Sequence, residues 1–321
     1  MSNLKKLVVF LLALVIIIPA TAFGYMYYKL STIHEGDSDS EKIVSSSDYK
    51  SEKGIHNILL VGVDTTDKEQ VSRSDAMMIL TIDSNSKSLK LTSLARDTYV
   101  NIKGRGKEKL THAYAYGGIS LLLQTVEENF ELDIQDYVVV NFNSFMSVLD
   151  VIGGIEVDVS ASELEELRYF TIETYYLGKY DKKGPIDYVE SPGTQTLNAY
   201  QALAYARIRK NDTAFDRDER QRKILQATLN KLTSLPFTKY NSLIDGVLPH
   251  IKTNMKPGAI LKTGSTVLGI GDFDIKQLEF PILEYSEQGI YEDAGWVVRF
   301  DEDKCIPILH DFIFKNKMYT P

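Results

Sequence analysis

The chain has 321 residues, 44% of them hydrophobic, with 36 Lys and Arg against 44 Asp and Glu for a net charge of −8. This is enough apolar content for one or two packed domains, and the acidic balance argues against a general nucleic-acid binder. A single cysteine, Cys305, excludes an internal disulfide framework and reads as a small buried hydrophobe.

At the N-terminus, Lys5 and Lys6 precede Leu7 to Tyr28, 22 residues without a charge, a length that spans a bilayer core of ~30 Å. Lysines before the run and acidic residues after it predict an uncleaved single-pass anchor at the cell membrane, N-terminus cytoplasmic and the bulk of the chain extracellular. A cleaved signal peptide is the rival reading, because Ala20-Thr21-Ala22 resembles a processing site. The expected organisation is therefore residues 1–30 as cytoplasmic tip and anchor, 31–54 as a polar stalk rich in Ser, Asp, Glu and Lys, and 55–321 as a single globular domain.

Three strand-like segments open that domain: HNILLVGVD, MMILTID and SLKLTSLARD. Helical patterns follow at Ala113 to Phe130 and Ser144 to Ile152, with YVVVNF between them and IEVDV after Gly153-Gly154. Further helices are expected over Thr196 to Ala206, Asp218 to Ser234, Tyr240 to Lys252 and Pro257 to Leu268, with a late strand from Ile275 to Phe280. Arg168 to Val189 reads as a surface excursion suited to a lid or an acceptor groove. The interleaving predicts one α/β domain whose central sheet is covered on both faces.

Two constellations carry chemistry. Asp64 follows the first strand, Arg73 and Asp75 precede the second, and Arg96-Asp97 closes the third, so one rim of the sheet would gather carboxylates and arginines. The stretch from Tyr205 to Leu225 holds seven cations against four carboxylates, a local +3 in an acidic chain, and five of the seven are arginines. Guanidinium groups grip phosphate oxygens two at a time. Arg207 and Arg209 share a side only if the backbone there is extended, whereas Arg217, Arg220 and Gln221 share one face of a helix whose other face carries Ile224, Leu225, Thr228, Leu229 and Leu232. Carboxylates beside phosphate-binding arginines make sense around a hard cation such as Mg²⁺. The competing reading is a solvated helix face laced by Asp218 and Arg222, with each Asp a turn or cap residue. There is no HExxH, CxxC or P-loop, and the five histidines do not cluster; His112 in KLTHAYAYGG reads first as a cap or core residue.

The motifs LLVGVD, RSDAMM, SLARDTYVNI, KLTHAYAYGG, VLDVIGGIEVDV, GTQTLNAYQALAYARIR and DRDERQRKIL occur in an order and spacing that resembles the LytR-CpsA-Psr proteins, from about Asn57 to about Ser234. The resemblance implies a three-layer α/β/α sandwich with a hydrophobic tunnel for a polyprenyl tail. It also implies transfer of a cell-wall glycopolymer, such as wall teichoic acid or capsule, from an undecaprenyl-pyrophosphate carrier to peptidoglycan. Carried over by residue, Asp64 and Asp75 fall on the Mg²⁺ side, and Arg73, Arg96, Arg207, Arg209, Arg217 and Gln221 on the pyrophosphate side; Arg96, Asp75 and Asp97 are the catalytic candidates, the last two as alternative bases. One departure is Ala214, where many members have Asp, which leaves Asp212 or Asp216 to stand in. Rival functions are a polyprenyl-pyrophosphate phosphohydrolase with water as acceptor and a non-catalytic lipid-binding scaffold. A transcriptional regulator is disfavoured by the charge and the outward orientation.

Overall fold

Runs of Val, Ile, Leu and Met three to four residues long, as in ILLV, MMIL and VVV, form the interior strands because both faces of the sheet are covered. The computed structural model describes residues 28, 31, 49–64, 72–134, 136–177, 184–208, 214–233, 251–270 and 275–320. Its six-stranded mixed sheet is built from β1 (Ile55–Val63), β2 (Ser74–Asp83), β3 (Ser88–Leu94), β6 (Asp136–Asn141), β9 (Ile251–Thr253) and β10 (Lys276–Phe280), in the order β10-β3-β2-β1-β6-β9. β1 runs antiparallel to β2 and parallel to β6, β2 runs antiparallel to β3, and β3 runs parallel to β10. The carboxyl ends of β1, β3, β6 and β10 and the start of β2 therefore meet at one rim.

Alternation along the strands separates two apolar layers. Leu59, Val61, Val63, Met77, Ile79 and Leu94 face α1 (Leu110–Phe130) and α7 (Glu302–Lys315), with Phe130, Phe280 and Phe312 fully buried between them. Ile58, Leu60, Met78, Leu80, Ile82, Leu91 and Val138 face the other way, toward α6 (Pro257–Ile270). Among the described residues this second layer is less enclosed. Leu60, Leu80 and Val138 are only partly buried, and Pro257 alone of α6 is fully buried. Beside the sheet, α2 (Phe142–Ile152), α3 (Leu164–Tyr175), α4 (Ala199–Ala206) and α5 (Ala214–Thr233) enclose a third cluster with the ribbon β7 (Ile155–Val159) and β8 (Gly193–Leu197). Two further ribbons, β4 (Tyr99–Ile102) with β5 (Gly106–Lys109) and β11 (Ser286–Tyr291) with β12 (Gly295–Phe300), lie outside the main sheet.

Most expected elements are present, with informative departures. Thr196 to Ala206 is not one helix: Thr196 and Leu197 end β8, and Asn198 then caps α4 by accepting from Gln201 N while Gln201 Oε1 accepts from Asn198 N. This capping box stops the strand and starts the helix within one residue. IEVDV is a strand, but its partner is β8 and not the central sheet. Gly154 adopts φ +82°, and a Cβ there would meet Leu197 O at 2.6 Å, so only glycine lets α2 turn directly into this ribbon. The expected helix to Lys252 ends in strand β9, and residues 234–250 lie outside the described residues. The first stretch of the 168–189 excursion is helix α3, tied by Arg168 to Val189 O and Glu190. α1 breaks at Gly117 and Gly118, the latter with φ +62°. The apolar run from Leu7 lies outside the described residues except for Tyr28; among the described residues no helix is long and apolar enough to cross a membrane. The chain joins the fold at Lys50, whose N–H donates to Glu131 O and whose carbonyl accepts from Asp133 N. Cys305 is buried, as expected.

Glu127 of α1 is buried at 2% exposure and accepts from Ile134 N at 3.0 Å. Burial pushes its pKa up to about 7 despite that bond, helped by Asp133 and Glu128. A carboxyl raised in the folded state binds its proton more tightly than the unfolded chain does, so its contribution to stability falls as pH rises through that window. Glu127→Gln is therefore expected to leave the melting temperature unchanged near pH 4 and to raise it by a few degrees at pH 8, read by differential scanning calorimetry.

Candidate active site

The geometry of the rim starts with a register defect. Val61 pairs with Met77 and Gly62 with Ala76, but Val63 pairs with Ser74, so Asp75 is the extra residue of a β-bulge. Without it, parity would place Asp75 opposite Val63, in the layer of Leu59, Val61 and Val63. The bulge puts fully buried Ser74 there instead and re-aims the carboxylate outward. Gly62 beside it already has Ala76 Cβ 3.1 Å from where its own Cβ would stand.

Asp75 accepts a hydrogen bond from Arg96 Nη1, and Arg96 Nε lies 3.4 Å from Asp97 Oδ2. Lys109 Nζ, at the end of β5, is 3.4 Å from Asp97 Oδ1. Burial works against the Arg96 charge, but Asp75 and Asp97 outweigh it and hold its pKa above the ordinary value. Thr111 fixes this cluster from α1: its N–H donates to Arg96 O at 2.9 Å and its hydroxyl to Ser74 O at 2.8 Å. Asp64, exposed at the end of β1, closes the neighbouring loop, with Oδ1 accepting from Arg73 N at 2.8 Å and its own N–H donating to Arg73 O at 3.2 Å. The Arg73 side chain is exposed at the same rim.

The arginines of the +3 stretch separate. Arg217, on the first turns of α5, is 7% exposed, and its Nε and Nη2 make no hydrogen bond among the described residues. Its pKa is held below the ordinary value by burial and then by Arg96, while Asp218, Asp75 and Asp97 pull the other way; α5 therefore delivers this guanidinium to the Asp75–Arg96–Asp97 cluster. Arg207 comes to the rim from α4, its Cζ 5.6 Å from the ring of Phe142 and 5.5 Å from that of Phe170, with Nη1 donating to Thr174 Oγ1 at 3.0 Å. Phe142 directly follows Asn141, the partner of Val63 in the sheet, which places Arg207 on the Asp64 side of the rim. The backbone at Arg207 is helical (φ −98°, ψ −4°) and not extended, so the expected two-residue alternation with Arg209 does not begin there; Arg209 itself lies outside the described residues, as does Asp212. Gln221 is half-buried one turn after Arg217. Arg220, expected to share their target, turns to Glu163 Oε1 (3.4 Å) and Ile208 O (3.2 Å).

The solvated-face reading of α5 fails. Asp218 and Arg222 are buried, and Arg222 Nη2 donates to Glu279 of β10 at 3.3 Å. Burial pushes the Asp218 pKa up to about 7 against the pull of Arg217 and Arg222. Ile224 and Thr228 are buried as expected, whereas Leu225 and Leu232 are only partly so, and the Leu229 side chain is outside the description. His112 is half-buried, paired with Glu108 at 2.8 Å and edge-on to Tyr116. Lys109, Thr111, Thr174, Asp218 and Glu279 were not among the expected site residues. The motif KLTHAYAYGG contains two of them, but its histidine drew the attention.

Among the described residues no three His, Cys, Asp or Glu side chains group to hold a metal. With Asp97 turned to Arg96 and Lys109, Asp64 and Asp75 are the carboxylates that would fit a hard cation taking its remaining ligands from water and phosphate, the habit of Mg²⁺. Thr111→Val removes a positioning bond while keeping shape, and is expected to lower turnover by about tenfold with little change in substrate affinity; a steady-state comparison of kcat and KM checks it.

The LytR_cpsA_psr family model matches residues 21–305. The polyisoprenyl-teichoic acid–peptidoglycan teichoic acid transferase TagT of Bacillus subtilis is 31% identical over 263 residues, 78% of this chain and 77% of that protein. The transferase TagU of Enterococcus faecalis is 32% identical over 79% of this chain and 81% of its own length. Among solved structures, TagT bound to LI-WTA superimposes with a TM-score of 0.66 at 26% identity, covering 86% of this chain and 98% of that one. TagT with bound octaprenyl pyrophosphate lipid superimposes at 0.62 and 25% identity over the same shares. With the family model matching most of its length and relatives above 30% identity over more than three quarters of it, the chain belongs to the LytR_cpsA_psr family.

Proposed function

We propose that this protein is a phosphotransferase that moves a cell-wall glycopolymer, of the teichoic-acid or capsule kind, from an undecaprenyl-pyrophosphate carrier to peptidoglycan, leaving a phosphodiester link. The observation that carries the reading is Arg217: a buried guanidinium whose Nε and Nη2 find no hydrogen-bond partner among the described residues, beside Arg96, Asp75 and Asp97. An unsatisfied buried cation is costly, and a multiply charged anion at the rim would satisfy it. The less enclosed layer between the sheet and α6 suits the alkyl tail of such an anion. The names of the relatives, teichoic acid transferases, and the octaprenyl pyrophosphate lipid bound to TagT point the same way.

In this reading Arg96, Arg217, Arg207, Arg209 and Arg73 bind the pyrophosphate, with Gln221 at its edge, and Asp64 and Asp75 hold Mg²⁺. Bound there, Mg²⁺ supplies charge neutralisation of the phosphate oxygens. An acceptor hydroxyl attacks the sugar-linked phosphorus, the bridging P–O bond breaks, and undecaprenyl phosphate leaves. Asp75 or Asp97, the two carboxylates bonded to Arg96, takes the hydroxyl proton. Rate acceleration comes mainly from positioning and electrostatics, as in other phosphoryl transfers. The uncharged run Leu7 to Tyr28 would anchor the domain on the outer face of the membrane, at the surface where carrier and wall meet.

The test is to incubate the soluble domain with a polyprenyl-pyrophosphate oligosaccharide, peptidoglycan and Mg²⁺ and to look for the linked product by mass spectrometry. Product that disappears on chelation supports the assignment. Free glycan without linked product would assign the same site to hydrolysis, and bound lipid without turnover would make the protein a scaffold.

A further inference from the structure

A cavity of about 650 Å³ lies beside the rim, lined by Tyr99, Lys107, Tyr291, Arg299, Phe300 and Glu302. It is framed by the ribbons β4–β5 and β11–β12 and the start of α7, none of which takes part in the rim cluster beyond Lys109. Its size falls within the range of small-ligand sites, about 300–1,000 Å³.

The cavity is connected to the reacting end by the backbone. Val298 N donates to Asp97 O at 2.9 Å, and Thr98 forms a parallel bridge with Val298, so β12 is fastened to the residue that follows Arg96. Tyr99 is two residues beyond Asp97, about 7 Å of extended chain. In the β4–β5 register Tyr99 faces Lys109, which reaches Asp97, and Asn101 faces Lys107, which lines the cavity. Lys107 and Lys109 stand two apart on one face of β5. One face of this ribbon thus leads from the rim into the cavity.

The lining selects a ligand class. Tyr99 and Tyr291 meet edge to face at 5.5 Å, and the Arg299 guanidinium lies 4.6 Å from the Tyr291 ring, braced by Glu287 at 3.3 Å. Tyrosine rings with polar tips suit the C–H face and hydroxyls of a sugar, while a stacked planar guanidinium and a lysine suit a carboxylate. Glu302 offers an acceptor for hydroxyl or amide N–H groups. Among the described residues no aliphatic side chain lines the cavity, so it does not suit the prenyl tail, for which the apolar layer against α6 is the better fit.

We propose that this cavity is the acceptor subsite, and that it binds a saccharide bearing a carboxylate about one ring away from the hydroxyl that reacts at the rim. The proposal rests on the transferase reading and names where its second substrate binds.

The test is a binding measurement with no donor present. The soluble domain is titrated with a tetrasaccharide that contains muramic acid with free lactyl carboxylates, and in parallel with the neutral tetrasaccharide of N-acetylglucosamine. The sole tryptophan, Trp296, pairs with Ile290 next to Tyr291 and serves as the fluorescent reporter. The wild type should bind the acidic saccharide at least about tenfold more tightly than the neutral one, and Arg299→Gln, Tyr291→Ala and Lys107→Gln should each weaken the acidic saccharide by about tenfold or more. Affinity for a prenyl pyrophosphate should stay within about twofold. Lys107 and Arg299 are surface cations, so these two variants keep the test open should Tyr291→Ala fold poorly. Absence of acidic-saccharide binding by the wild type, or equal binding by wild type and variants, would overturn the subsite. Failure of the transferase reading would appear elsewhere, as carrier consumed without linked product.

Discussion

Replacing Arg96 by alanine is expected to reduce transfer by about a thousandfold or more while the domain remains folded, a loss on the scale of removing an arginine that stabilises a phosphoryl-transfer transition state. Arg96 is the only described side chain that bonds both Asp75 and Asp97, and its pKa is held high by them. Its removal therefore takes away positive charge where the leaving phosphate develops its own, and releases two carboxylates whose repulsion of the substrate had been cancelled. The side chain is 22% exposed, so water replaces it at modest cost and circular dichroism should be unchanged. Linked product is read by mass spectrometry under single-turnover conditions; a variant within tenfold of the wild type would remove Arg96 from the mechanism.

Arg217→Met is expected to behave differently. Transfer should fall by a hundredfold or more, but the melting temperature of the ligand-free protein should hold or rise. The reason is that the guanidinium is buried with Nε and Nη2 unbonded among the described residues and lies 3.9 Å from Asp218, beyond hydrogen-bond range. Replacing a poorly compensated buried charge by an apolar group of similar shape is often neutral or stabilising. Asp218 tolerates the change because burial raises its pKa to about 7, so a proton can replace the lost cation at or below neutral pH. Above that pH the same variant should lose stability relative to wild type, since the ionised carboxylate loses Arg217, the strongest of its cations, and keeps only the weaker pull of Arg222 and Arg96. A folding penalty of several degrees at pH 6 would mean that Arg217 is structural. Adding a prenyl pyrophosphate should raise the melting temperature of wild type and not of the variant.

The sheet and the carboxylate half of the candidate site were legible in the sequence because the buried strands carry short apolar stretches and the polar residues that end them stand out. Asp64, Asp75, Arg96 and Asp97 all follow from that contrast. The arginine half was legible in composition but not in direction: a charge run on a helix looks solvated, and only Glu279, which sits 57 residues beyond Arg222, reveals that this helix is buried against β10. The short ribbons were missed for a related reason. GKEK and SEQGIY have no apolar run, and they become strands only because each pairs with a close partner. Helix α3 was hidden by the tyrosines, lysines and glycines that follow it, and Thr196 reads as helix until the Asn198 capping box is seen.

The unpaired residue at Asp75 also sets where this chain can change length. Residues 65–71 separate β1 from β2 in the sequence, and the entropic cost of lengthening a connection grows slowly with length. Deleting Ser74 would let the ladder zip shut, and the Asp75 carboxylate would be carried into the space now held by the serine hydroxyl. Length variants of this domain should therefore accumulate before Ser72 and stop abruptly at the edge of the second strand.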